Sequence, residues 1–136
     1  MTIKVDVSGL SELVKKMNDL PRLIDATIIE TMAEDGKDWE ADVRANTPKD
    51  TGDLRRSWTL DPPSKAGKAI EMELSNNLEY AEHVEYGHRQ EPGRFVPAIG
   101  KRLKADYVQG YNMLRDGTAR LEESLADDVQ RALDSM

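Results

Sequence analysis

The sequence predicts an α+β fold, with a small antiparallel sheet packed against one long helix and an amphipathic helical region at the C-terminus. Three observations lead there. Leu20, Leu23, Ile24, Ile28, Met32, Gly36, Trp39 and Val43 fall at three- and four-residue steps, the apolar stripe of a long helix. Ile70, Met72 and Leu74 alternate with Glu71 and Glu73, the period of a half-buried strand. A second helical stripe, Leu114, Leu121, Leu125, Val129 and Leu133, runs through the charged C-terminal segment. At 136 residues the chain can bury a hydrophobic core.

The elements follow in order. "IKVDVSG" alternates Ile3, Val5 and Val7 with polar residues and reads as a strand, and Ser8 or Ser11 then caps a helix through Leu10, Leu13, Val14 and Met17. Pro21 suits the first turn of the long helix, which ends at Asn46–Thr47 because Pro48 disfavours helical backbone in the residue before it. "LRRSWTL" alternates from Leu54 to Leu60 and reads as a second strand, facing the glutamates of "KAIEMELS" with its arginines. Between them "DPPSKAGK" has too many prolines for a two-residue turn, so a longer flexible hairpin loop is expected, one that orders on binding. "NNLEYAEHVEYG" is a short helix stopped by Gly87. "HRQEPGRFVP" is a loop, and a last helical region starts at Pro97, bent or broken at Gly110 and Gly117. The expected division is an α+β unit over 1–106 and a helical extension over 107–136.

Composition narrows the chemistry. No cysteine is present, which excludes disulfides, thiol nucleophiles and thiolate metal sites. No apolar run approaches the roughly 20 residues that span a bilayer, and the N-terminus is too polar for a signal peptide. A soluble, cytosolically made product with no membrane partner is expected. A net charge of −7 argues against coating DNA, which rests on Lys and Arg neutralising phosphates. The charge is also segregated. Glu30–Asp42 holds six acids and one lysine, whereas His88–Lys104 nets +4 from five bases and one acid. Such blocks are either solvated faces or complementary surfaces between copies of the chain.

Catalytic and ligand motifs are weak. His83 and His88 sit among glutamates, but a five-residue spacing across Gly87 puts them on different faces, unlike paired metal ligands four apart on a helix. Ser57 has neither elbow nor triad context. The stretch "TPKDTGDLRRSW" holds one glycine and leads into a strand-like run, so it is no phosphate loop. It reads as a helix-to-strand joint, with Pro48 as the stop, Asp50 and Thr51 bonding the turn, and Gly52 at positive φ. No catalytic residue, metal or cofactor is expected. The C-terminal helix is core, a coiled-coil seam or a docking helix.

These residues resemble a known family. "TPKDTGDLRRSW" is similar to the "aP-x-D-T-G-x-L-r-x-S" signature of tailed-phage head–tail joining, tail-completion or minor capsid (neck) proteins, matched by Pro48, Asp50, Thr51, Gly52, Leu54 and Ser57. "YAEHVEYG" resembles the family's "YA-x-x-V-E-x-G" element through Tyr80, Ala81, Val84, Glu85 and Gly87. "GRFVPAI" resembles its aromatic-x-Pro-Ala segment through Phe95, Pro97 and Ala98. The resemblance covers roughly residues 3–105, with His88 a departure from the small residue that often follows the glycine. It implies a neck-protein-like unit: a structural virion protein forming a hexameric ring at the head–tail junction. The implied neighbours are the connector or head-closure protein and the tail-tube or tail-terminator protein, with DNA met only in passing. On that reading Arg55, Arg56 and Arg94 are candidate subunit or connector contacts, and Tyr80, Tyr86 and Phe95 are expected to pack the short helix onto the sheet. The alternative is a non-enzymatic regulatory module that dimerises through its C-terminal helix.

Overall fold

The computed structural model describes residues 1–6, 21–49, 52–89, 92–97, 100–102 and 107–136. The expected helix through Leu10–Met17 lies outside them, as do Asp50, Thr51 and Ala98. The architecture is α+β, as the sequence predicts.

Strand β1 (Thr2–Asp6), strand β2 (Trp58–Ala66) and strand β3 (Ala69–Asn76) form an antiparallel sheet in the order β1-β3-β2. Central β3 alternates as its sequence requires, with Ile70, Met72, Leu74 and Asn76 buried and the residues between them half-buried. Helix α1 (Pro21–Ala45) lies on β2 and β3, and its buried residues are Ile24, Ile28, Met32, Gly36, Trp39 and Val43. Leu23, though on the expected stripe, stays exposed. Helix α4 (Met113–Asp134) packs along α1 and buries Leu114, Leu121, Leu125, Val129 and Leu133 in the same hydrophobic cluster. A helix with this charge density needs tertiary packing of its apolar face to be stable. That face is covered by the chain itself, so the surface needed for a C-terminal-helix dimer is already occupied.

The two helices run antiparallel. Arg120 forms a forked pair with Asp42 (2.7 and 3.0 Å), while Thr31 and Ser135 share a groove at the opposite end. Close approach is possible because Gly117 faces Val43: a methyl group added there would stand 2.6 Å from Val43 Cγ2. Gly117 therefore continues the helix rather than breaking it.

Three local expectations are corrected. Asp53–Arg56 is a helical turn, α2, and the strand begins only at Trp58. Alternation over a few residues cannot separate one helical turn from a strand. The prolines do not open a loop: β2 runs through them to Ala66, and the hairpin closes between paired Ala66 and Ala69 around Gly67 at φ 62°. Pro62 and Pro63 sit where the β2–β3 register shifts between Asp61 and Ser64, on an edge strand where missing N–H donors are tolerated. The cross-strand charge pair is consequently Lys4–Glu73 (3.6 Å) between β1 and β3, not arginine opposite glutamate.

The third correction concerns residues 97–112, where the described backbone is not helical. After helix α3 (Ala81–Tyr86), strand β4 (Gly87–Arg89) pairs with strand β7 (Tyr107–Gln109). Inside that excursion strand β5 (Phe95–Val96) pairs with strand β6 (Lys101–Arg102). No helix among the described residues is long and apolar enough to cross a membrane.

Candidate functional site

The two motif stretches meet in space around the end of α1 and the start of α4. At the first, the chain must leave a buried helix end and enter a sheet, so every main-chain polar group needs a partner. Thr47 takes part in three bonds here. Its buried hydroxyl donates to Val43 O (2.6 Å) and accepts the Trp58 indole N–H (2.9 Å). Its carbonyl accepts from Arg55 Nε (2.6 Å). Arg44, paired with Glu40 (2.6 Å), donates to Trp58 O (2.8 Å). Asn76 donates to Leu54 O (2.9 Å) and accepts from Leu78 N (3.1 Å), which ties α2 to the end of β3. Gly52 adopts φ 84°, the left-handed conformation anticipated for it. Leu54 and Trp58 are buried, and the Ser57 hydroxyl donates to Asp53 O (2.7 Å). The stretch is a joint held by hydrogen bonds.

The second motif is organised by Glu85, whose side chain is 1% exposed. Its two carboxylate oxygens accept the N–H groups of Leu114 (2.8 Å) and Arg115 (2.9 Å), in the first turn of α4. Asn112, at the N-cap position, makes no side-chain cap, so a glutamate from α3 does that work from 29 residues away. The buried charge is compensated by two donors and by the positive end of the helix dipole. Nearby main-chain bonds from Tyr111 N to Val84 O (2.8 Å) and Asn112 N to Glu85 O (3.0 Å) complete the clasp. Ala81 is fully buried beneath it. Sequence reasoning identified Glu85 only as a motif position, because its partners are distant main-chain groups with no side-chain signature.

Between joint and clasp lies a groove of about 340 Å³, lined by Pro48, Lys49, Gly52, Leu54, Tyr80, Val84 and Tyr111. The aromatic rings expected on the sheet are instead exposed: Tyr80 by 44%, Tyr86 by 60% and Phe95 by 50%. Tyr107 is likewise exposed and donates to Tyr86 O (3.0 Å). All four tyrosines of the chain thus stand open around α3, β7 and the start of α4, the amphipathic residue type enriched at protein interfaces.

The three candidate arginines are not brought together. Arg55 is half-buried in the joint, Arg56 is exposed and paired with Asp53, and Arg94 is exposed before β5. Pro97 is exposed. His83 and His88, expected on different faces, approach edge-to-face at 5.2 Å because the chain turns back at Gly87. Among the described residues no group of three His, Cys, Asp or Glu side chains could hold a metal ion.

On the far side of the molecule a groove between α1 and α4 is lined by Glu34, Asp35, Asp128 and Arg131, among others. Burial, then Asp128, Asp38 and Glu34, push the Asp35 carboxyl up to about 7.

Residues 11–87 match the model of a family described as "Bacteriophage HK97-gp10, putative tail-component". The matched stretch contains both the joint and the residues of the clasp up to Gly87. No curated protein and no solved structure matches the chain.

Proposed function

Because the chain belongs to the HK97-gp10-like family of bacteriophage tail components, we propose that it is the virion subunit that forms a hexameric ring at the head–tail junction. In this reading it is made in the host cytoplasm and completes the tail or joins it to the connector, contacting head-closure and tail-tube or tail-terminator proteins. DNA passes through the lumen without being held, since a chain of net charge −7 offers phosphates little to bind.

One observation supports this most. The described residues of the first two motifs build hydrogen-bonded structural joints, leaving tyrosines and segregated charge as the exposed chemistry. A closed ring uses head-to-tail contacts, in which one surface of each copy meets a different surface of the next. Opposite charge on separate surfaces suits that geometry. The regulatory alternative needs the apolar face of α4, which is buried against α1.

The test is removal of the gene from the phage that encodes it. Filled heads and complete tail tubes that fail to join, with joining restored by purified chain, is the expected outcome. Infectious joined particles without the chain would refute the proposal.

A further inference from the structure

Between Gly87 and Gln109 the described residues include two short antiparallel ladders, β4 with β7 and β5 with β6; Phe95, Lys101, Arg102 and Tyr107 are exposed and His88 and Val108 half-buried. A two-stranded ladder with no hydrophobic face is marginal on its own in water. Within it, Arg102 donates to Gly93 O (3.0 Å) and stands 5.9 Å over the Phe95 ring, so the tip is organised by its own contacts. Arg94 and Lys101 are exposed beside it. This basic, uncovered arm belongs to an otherwise strongly acidic chain. The opposite charge is concentrated on the α1–α4 face, where Glu34 and Asp38 are exposed beside the half-buried Asp35 and Asp128. Among the described residues, the ion pair found there is Asp128 with Arg131 at 3.4 Å.

We propose that the β4–β7 arm is an assembly arm whose occupant is a second copy of this chain, docking its basic tip onto the acidic α1–α4 face of that neighbour. The inference rests on the ring reading above and specifies its interface. Charge complementarity selects the partner face, and Phe95 contributes the apolar anchor such contacts need. The contact is heterologous, so it propagates from copy to copy rather than stopping at a pair, and it forms a ring where the rotation between copies closes. It also weakens with salt, since the charges are exposed.

The test is a charge swap in the full chain, with mass in solution measured alone and with tail tubes present. R94E/K101E and E34K/D38K each place like charges across the interface, and each should weaken assembly on the order of tenfold or more. Mixed together they restore complementarity at every contact and should assemble again. Circular dichroism confirms that both are folded, since all four side chains are exposed. If the wild type assembles and either variant assembles equally well, or if mixing restores nothing, the arm assignment is overturned while the ring reading stands. If the wild type remains monomeric in both settings, the ring reading and the arm fail together. An R94E/K101E variant that self-assembles normally but loses tube or DNA binding would assign the arm to that other partner and overturn the proposal.

Discussion

Replacing Glu85 tests how the second motif is joined to the C-terminal helix. The carboxylate is buried and accepts two main-chain N–H groups at 2.8 and 2.9 Å. Glu85→Gln keeps one oxygen but turns an NH₂ group toward a donor, and removes the charge that faces the helix N-terminus. Losing one charge-assisted bond and leaving a buried donor unpaired costs about 1–3 kcal/mol. Loss of the charge–dipole attraction adds roughly 0.3–1 kcal/mol. Glu85→Ala leaves both donors without a partner and adds a cavity, for about 3–5 kcal/mol in total. For a domain whose whole stability is about 5–15 kcal/mol, the alanine variant approaches unfolding. Urea denaturation gives the free energies, and hydrogen exchange at Leu114 and Arg115 locates the loss. A glutamine variant within about 0.5 kcal/mol of wild type, as for a neutral surface change, with both amides still protected, would refute this account of the clasp.

Three further outcomes are expected. Thr47→Val keeps the volume but leaves the Trp58 indole N–H unpaired, so stability should fall by about 1–3 kcal/mol in urea denaturation, and an unchanged midpoint would remove that bond from the joint. Gly117→Ala gains about 1 kcal/mol of helix propensity but drives a methyl group to 2.6 Å from Val43 Cγ2. Overpacking of about 1–3 kcal/mol should win, and a higher melting temperature would show that α1 and α4 do not approach closely there. Asp35 holds its proton up to about 7 when folded against an ordinary 3.8, so folding takes up a proton between those values. Stability from this group is therefore full below about 4 and is lost as pH rises to about 7. Asp35→Asn should flatten that part of the stability–pH curve, and an unaltered slope would exclude Asp35 as its source.

Much of the fold is legible in the sequence because its period is long. The α1 stripe from Ile24 to Val43 is buried position by position, and Ile70, Met72 and Leu74 face the core as their alternation requires. Elements shorter than two periods are less legible. Leu54–Ser57 satisfies a strand pattern and a helical turn equally, and the choice is made by Asn76 holding the Leu54 carbonyl from another strand. Pro62 and Pro63 read as loop because edge position and register shift are tertiary facts. The charge blocks are legible in the sequence, including the basic segment on which the proposed arm is argued. The clasp was not, since Glu85 meets main-chain groups that any residues at 114 and 115 would supply. The exposure of Tyr80 and Tyr86 was equally hidden, because an aromatic at helical spacing fits a core as well as a surface.

The central claim, a ring subunit of the phage tail, is tested most directly by the mass of the purified chain alone and then mixed with tail tubes, followed by imaging of the tube ends. The account predicts a ring in solution, or a monomer that becomes a ring on the tube end. A stable dimer indifferent to tubes would contradict it.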